Sequence, residues 1–235
     1  MVWGVTAVFL LLSACIRQME VGPTVTEGVS IEPDGAESVQ ATIRLDAGEL
    51  LVRGWATHLL DAEFSYNIPE WRPIINYTVV NGQGDLTISQ PEYVGSLETL
   101  PTGNIHYQWD LRFNNDIPMT LTINLGAGRS DLVLGDLRLS EAQINLGVGE
   151  TTLDLTGDWR QSATIIIQGG VGGTSVRLPE NVGVRVLTAT GIGTIDVDGL
   201  EREGDAYTNA LYGQTDVNLE VSVTGGLGAI RLEME

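Results

Sequence analysis

The sequence predicts an all-β, single-domain fold of stacked coils, a β-solenoid or a closely related roll. A repeated segment carries this prediction: Ile123–Leu134 (INLGAGRSDLVL) recurs as Ile144–Leu155 (INLGVGETTLDL) and as Ile167–Leu178 (IQGGVGGTSVRL). The second glycines of these three rows lie 21 and 23 residues apart. A repeat of this length is typical of solenoids, whose coils bury a common core only when they stack.

Each row has a strand pattern that is interrupted at its glycines. In the first row, small or apolar residues alternate before the glycines (Ile123, Leu125, Ala127) and after them (Ser130, Leu132, Leu134). Such alternation indicates a strand with one buried face. Because it slips by one residue at the glycines, we expect a corner or bulge there, where glycine tolerates a positive φ. The predicted corner glycines are Gly126, Gly128, Gly147, Gly149, Gly170, Gly172, Gly191, Gly193, Gly226 and Gly228.

Looser copies of the row extend the predicted solenoid in both directions. They are Ile43–Gly54, Thr188–Gly199 and Val223–Met234. A longer interval before the last copy indicates an inserted loop, Gly199–Gln214. We expect the last row to form the exposed edge of the stack, with Glu233 and Glu235 as charges that discourage edge-to-edge association.

The rhythm weakens between the first copy and the regular rows, and four less regular strands are predicted there. They are Leu59–Tyr66, Ile74–Val80, Asp85–Ser89 and His106–Phe113. Most aromatic residues, including Trp71 and Trp109, also fall in this region. Large rings more often fill a core or cover the end of a solenoid than bind a ligand. We therefore expect an aromatic cap, and the alternative is an aromatic strip that stacks sugars or peptides.

The composition excludes one class of partner. The chain has 235 residues and a net charge of −19, and all twelve of its basic residues are arginine. A surface this acidic repels DNA, RNA and anionic lipid, so no nucleic-acid partner is expected.

The N-terminal sequence indicates a targeting signal. Val5–Leu12 is an apolar run too short to span a membrane but suited to a signal peptide. It continues into Leu-Ser-Ala-Cys at residues 12–15, which resembles the bacterial lipobox and contains the sole cysteine of the chain. The resemblance implies a lipoprotein signal peptide at residues 1–14 and a lipid on Cys15. Residues 15–37 are rich in Gly, Pro, Thr and Glu, which predicts a flexible tether before a domain at residues 38–235.

No motif with a catalytic or cofactor-binding mechanism occurs. The chain has no Gly-x-Gly-x-x-Gly and no lysine for a phosphate loop, and His58 and His106 lie far apart without a second cysteine. We therefore predict no catalytic residue, no cofactor and no metal. The alternative is a polysaccharide-cleaving enzyme that uses Asp110, Asp116 and Arg112, although charged neighbours on a strand are more often its solvated face.

The glycine rows, the loop Asp205–Tyr212 and the closing VSVTGGLGAIRLEM resemble toast-rack domains. These domains occur in adhesin-like proteins and in the C-terminal halves of LiaF-type cell-wall-antibiotic-response proteins. The resemblance spans residues 38–235 and implies a right-handed, parallel β-helix-like domain at the bacterial envelope. LiaF-type members restrain a membrane histidine kinase, but this chain lacks their transmembrane helices.

These patterns together predict an exported, non-catalytic envelope protein. It is held on the extracytoplasmic side of the membrane by a lipid at Cys15, and its solenoid serves binding, adhesion or sensing. The expected partners are the membrane, through that lipid, and an envelope protein or glycan. One alternative is an accessory regulator of a membrane stress-response system, and the other is the polysaccharide-active enzyme.

Overall fold

The computed structural model describes residues 21–92 and 103–235, and this part of the chain is nearly all β. One 3-10 turn, Pro69–Trp71, interrupts thirteen strands, and no α-helix occurs in these ranges. The strands are β1 Val25–Ile31, β2 Ser38–Arg53, β3 Leu60–Tyr66, β4 Ile74–Val80, β5 Gln83–Ser89, β6 Tyr107–Phe113, β7 Met119–Val133, β8 Leu139–Asp154, β9 Ala163–Leu178, β10 Gly183–Asp198, β11 Glu201–Glu203, β12 Ala206–Thr208 and β13 Asn218–Met234.

Six long strands form the body of the fold, and they stack in parallel in the order β2, β7, β8, β9, β13, β10. Their register matches the sequence rows, because Gly48 pairs with Gly128, Gly128 with Gly149, and Gly149 with Gly172. Each long strand carries a glycine corner near its middle, and short segments link β7 to β8, β8 to β9 and β9 to β10. The predicted β-solenoid of coils with Gly-x-Gly corners is therefore confirmed.

The core lies inside the corner, between the two arms of each long strand. On β7 the first arm buries Leu121, Ile123 and Leu125, and the second arm buries Ser130 and Leu132. The slip in phase predicted from the sequence is present, but the alternation ends at Leu125, two residues earlier than predicted. Ala127 was expected to face the core and is exposed, because the backbone turns outward between the two glycines.

One end of the stack is covered by a cap. The first arm of β2 pairs with β5, which continues to β4, and the second arm of β2 pairs with β6, which continues to β3 and β1. Edge-to-face aromatic contacts fill this end, with Trp109 5.5 Å from Phe64 and 5.7 Å from Tyr107 between ring centroids. The expectation of an aromatic cap is confirmed for these three rings, which are all buried.

The cap recruits residues that were predicted to be flexible. Val25–Ile31 lies inside the predicted tether, yet it pairs along its whole length with β3 in an antiparallel register. The tether prediction is wrong for these residues. Its sequence signal is weak because β1 is an outer strand with no fully buried side chain, so strict apolar alternation is not required.

The other end of the stack differs from the prediction. β13 was expected at the exposed edge, but it inserts between β9 and β10 and pairs in parallel with both. The inserted segment after β10 is long enough to carry the chain past one rung, and it forms the small β11–β12 hairpin against β10 on the way. The outermost long strand is therefore β10.

The N-terminal predictions fall outside the residues that the structure describes. These are the signal peptide at residues 1–14 and the lipid at Cys15. Among the described residues, no helix has the length and apolar character needed to cross a membrane.

Candidate binding surface at the glycine corner

The ten predicted corner glycines lie in two columns that run up the corner, one rung per strand. A Cβ atom placed on any of them would lie 1.7–2.8 Å from a backbone oxygen of the neighbouring strand. At Gly149 the φ angle is +147°, and the oxygen in question belongs to Gly128. Glycine is needed here both for its backbone conformation and because the rungs approach too closely for a side chain.

The residue just before the second corner position (Gly48 on β2, Gly128 on β7 and their equivalents) points outward on every rung, and these residues form a column that we call the corner ridge. In stack order the ridge consists of Ala47, Ala127, Val148, Val171, Leu227 and Ile192. Its four largest side chains are strongly exposed: Val148 by 58%, Val171 by 45%, Leu227 by 47% and Ile192 by 73%. Successive rungs of a sheet lie about 4.8 Å apart, so these side chains form a continuous aliphatic strip.

The glycines make this strip accessible from both sides, since no side chain flanks it along the strand. Contiguous exposed apolar residues rimmed by polar groups mark interaction sites more often than scattered ones do. The ridge was not predicted from the sequence. Its signal is the apolar residue that stands between the two glycines in five of the six rows, where a solvent-facing corner would ordinarily carry a polar one.

A groove of 490 Å³ that contains a column of polar side chains runs along one side of the ridge. It is lined by Arg44, Asn124, Asn145 and Gln168, which occupy one column of successive strands. The Asn145 amide nitrogen donates a hydrogen bond to the Asn124 side-chain oxygen at 2.9 Å. These amides present both donors and acceptors, so the surface joins an apolar strip to a hydrogen-bonding column.

The inner side of the corner has a structural role. Ser130 and Thr151 are buried there, and their hydroxyl oxygens are 2.7 Å apart and hydrogen-bonded to each other. One hydroxyl donates and the other accepts, so the pair links adjacent rungs through a buried hydrogen bond.

The residues proposed for an enzymatic alternative have separate partners. Asp110 forms an ion pair with Arg53, and Asp116 forms one with Arg160 at 3.0 Å. Arg112 lies opposite Asp61 in the register of β6 and β3. Among the described residues no group of three His, Cys, Asp or Glu side chains is arranged to hold a metal ion.

A histidine–carboxylate pair lies beside the cap. His58 Nδ1 is 2.7 Å from Asp61 Oδ1, which also accepts a 2.6 Å hydrogen bond from the Ser30 hydroxyl. The Ser30 hydrogen bond is the largest cause that lowers the pKa of Asp61 to about 2. The hydrogen bond to Asp61 raises the pKa of His58. His58 is thus paired with Asp61, and it forms no hydrogen bond with His106.

Trp71 and Trp109 do not form the exposed aromatic strip of the sugar-stacking alternative. Trp109 is 0% exposed inside the cap, and Trp71 is partly buried with its ring 5.4 Å from that of Tyr107. Trp55 instead is 76% exposed, in a turn where its φ is +73°. Its indole nitrogen donates to Asp136 Oδ2 at 3.2 Å. Sequence reasoning missed this residue because nothing in its pattern separates it from the capping aromatics.

The bent parallel strands and their glycine columns define a class of β-solenoid domain. The family model for the N-terminal domain of toast_rack matches residues 20–177. This match covers well over half of the chain, and the chain belongs to the toast-rack family. A second model, "Cell wall-active antibiotics response LiaF, C-terminal", matches residues 131–232.

The chain is also similar to solved structures. A protein from Clostridium sporogenes, described as a "putative cell adhesion protein", is 31% identical with a TM-score of 0.86, and the match covers 91% of this chain and 100% of that one. A "putative adhesin" from Bacteroides fragilis is 9% identical with a TM-score of 0.36 and covers 92% of this chain and 100% of that one. No curated protein sequence matches the chain.

Proposed function

We propose that this protein is a non-catalytic binding module of the bacterial cell envelope that docks a partner protein on the corner ridge. The exposed aliphatic strip from Val148 to Ile192 is the observation that carries the proposal. An apolar strip on so acidic a chain is costly to leave in water, at about 25 cal/mol for each Å² that a partner would cover. The column of polar side chains in the groove beside it supplies hydrogen bonds that orient the partner.

The similar proteins support an envelope location and a binding role. The Clostridium sporogenes relative is described in terms of cell adhesion, and it matches over its whole length. The matching families are described by structure or by antibiotic response, and neither description names an enzymatic reaction. We extend the proposal to the N-terminus: signal peptidase removes residues 1–14, and a lipid on Cys15 holds the domain at the extracytoplasmic face of the membrane.

One observation favours a second function, which is regulation of a membrane stress-response system. The match to the LiaF C-terminal model begins at residue 131 and ends at residue 232, so it includes the part of the stack with the largest ridge residues. In this alternative the ridge docks a membrane signalling protein rather than a surface protein. No comparable observation favours polysaccharide cleavage.

Photo-crosslinking in living bacteria tests the proposal and separates the two functions. A photoreactive amino acid is placed at Val171 on the ridge, and the matched control places it at Thr152, an exposed residue on the outer face of β8. We expect a specific crosslinked partner from Val171 and none from Thr152. A surface protein as partner supports adhesion, and a membrane signalling protein supports regulation. Equal labelling from both positions would contradict the ridge as the docking surface.

The lipid anchor is tested in the same strains. Cys15→Ser is expected to abolish incorporation of radiolabelled palmitate and to release the protein from the membrane fraction. Retention of both label and membrane association in Cys15→Ser would overturn the anchor without bearing on the ridge.

A further inference from the structure

The two ends of the stack are covered unequally. At the cap end, both arms of β2 have a neighbouring strand. At the other end, the outer side of β10 pairs only at Arg185–Leu187, with β12. Residues 188–198 of β10 pair with β13 on their inner side and with no described residue on their outer side. This stretch, which we call the open edge, is therefore a long strand edge of the kind to which other chains add.

The repeat shows which backbone groups reach the open edge. In the coils of β2, β7 and β8, residues that face the core donate their N–H to the next strand of the stack. Examples on the first arm are Val39 to Pro118 and Met119 to Arg138, both at 2.9 Å, and an example on the second arm is Leu155 to Arg177 at 2.9 Å. Val184 on β10 follows the rule, because its N–H donates to the side-chain oxygen of Asn209 in the inserted loop at 2.9 Å, and its carbonyl accepts from the Asn209 N–H.

The equivalent core-facing residues of the open edge are Thr188, Thr190, Ile195 and Val197. Because backbone polarity alternates along a strand, the N–H and C=O of each point away from β13. The open edge thus presents a ready ladder of donors and acceptors.

The side chains around the open edge indicate which sequence pattern an added strand would need. Ile195 and Val197 are only half-buried, whereas their register partners Ile230 and Leu232 on β13 are buried. The outward face of the same arm carries two exposed carboxylates: Asp196, which forms an ion pair with Arg231 of β13 at 3.3 Å, and Asp198. The β11 strand that follows adds the exposed carboxylates of Glu201 and Glu203. An added strand would therefore bury apolar side chains on one face and meet negative charge on the other.

We propose that the open edge binds an extended segment of a partner protein that alternates apolar and basic residues and adds as a strand beside Thr194–Asp198. Main-chain hydrogen bonds would supply affinity, and the alternating pattern would supply specificity. Charge argues against a second copy as the occupant. Pairing two open edges would bring Asp196 and Asp198 near their own counterparts, between chains that each carry a net charge of −19.

Peptide binding to the full chain, measured by fluorescence anisotropy, tests this proposal. The probe is a labelled octapeptide of alternating valine and lysine, and its control has the same composition with four valines followed by four lysines. We expect the alternating peptide to bind at least about tenfold more tightly, since both peptides share the same charge and only one can form the strand pattern. Equal affinity would mean general attraction to an acidic surface and would overturn the proposal.

Two protein variants localise the site. Asp198→Lys should weaken binding of the alternating peptide by about tenfold. Its matched control, Asp131→Lys, makes the same charge change at an exposed residue of β7, four strands from the open edge, and should leave affinity unchanged. Equal weakening by both variants would overturn the assignment to β10.

Val197→Pro tests the hydrogen-bond ladder, because it removes an N–H that no described residue accepts. It should abolish binding while circular dichroism stays unchanged. If the variant does not fold, the same test is made on the peptide: N-methylation of alternate residues should abolish binding on one set and spare it on the other. Equal effects from both sets would contradict strand addition. Self-association of the unmodified chain that Val197→Pro abolishes would show a second copy as the occupant and overturn the proposed partner.

Discussion

Gly149 and Gly128 pack backbone against backbone, and a Cβ atom on Gly149 would lie 1.7 Å from the carbonyl oxygen of Gly128. Gly149→Val should therefore destabilise the fold by about 3 kcal/mol or more, because it adds backbone strain to a direct clash. Chemical denaturation measures the change. Gly173→Ala is the matched control: nothing lies within 4 Å of its added Cβ atom, and its free energy of unfolding should shift by less than about 0.5 kcal/mol. Similar losses in both variants would contradict a sterically closed corner.

The cap depends on Trp109, which is fully buried against Phe64 and Tyr107. Trp109→Ala should cost about 3–5 kcal/mol, the range for removing a large buried ring. Trp109→Phe should cost less, since it keeps an aromatic ring and removes an indole nitrogen that has no hydrogen-bond partner. Thermal denaturation followed by circular dichroism compares the two. Equal losses would mean that the cap is less tightly packed than the structure indicates.

Trp55 should respond in the opposite direction because its φ of +73° is strained for any residue with a side chain. Trp55→Gly should raise the stability by about 1 kcal/mol, since glycine adopts this conformation freely. Trp55→Ala is the control, because it removes the exposed ring and retains the strain. A stabilisation in Trp55→Ala equal to that in Trp55→Gly would assign the effect to the ring rather than to the backbone.

The pair of His58 and Asp61 should make stability depend on pH in two windows. The folded pKa of His58 is raised above 6.5 by the hydrogen bond to Asp61, so its contribution is present below 6.5 and is lost as pH rises through the folded pKa. The folded pKa of Asp61 is lowered from 3.8 to about 2, first by the Ser30 hydroxyl. The contribution of Asp61 is therefore present above 3.8 and is lost as pH falls towards 2.

NMR titration of the imidazole protons checks this pair. Asp61→Asn should lower the pKa of His58, because the main cause of its elevation is removed. Ser30→Ala should raise the pKa of Asp61 and leave His58 charged to a higher pH than in Asp61→Asn. An unchanged His58 titration in Asp61→Asn would show that the two side chains are not paired in solution.

Periodicity predicts the parts of the fold that repeat. The rows of glycine and alternating apolar residues determine the bent strand, its register and the corner. Each strand has to bury the same face, and at the corner it has to avoid a clash with the backbone of the neighbouring strand. The same periodicity does not determine which rung follows which. β10 and β13 carry nearly equivalent rows, so the row pattern allows either of them to be the outermost strand. The inserted loop between them is long enough for β13 to lie between β9 and β10.

The sequence pattern was misread for two sets of residues outside the core. Ala127 was assigned to the core by extending the alternation through the corner, although a turn in the backbone reverses its direction. Val25–Ile31 was missed as a strand because an outer strand needs only partial apolar character. Both errors concern side chains whose environment depends on neighbours far away in the sequence, and local patterns do not report those neighbours.

Hydrogen exchange distinguishes the two possible orders of the last strands. With β10 outermost, the amides of Ile195 and Val197 face solvent, whereas those of their partners Ile230 and Leu232 face β10 and are hydrogen-bonded. We expect the first pair to exchange within the dead time of an NMR experiment and the second pair to be protected, because protection follows hydrogen bonding and burial. Thr174 and Val176 on β9 are internal controls and should be protected in either order. If Ile230 and Leu232 exchanged first instead, β13 would be the outermost strand, and both the open edge and its proposed partner would be lost with it.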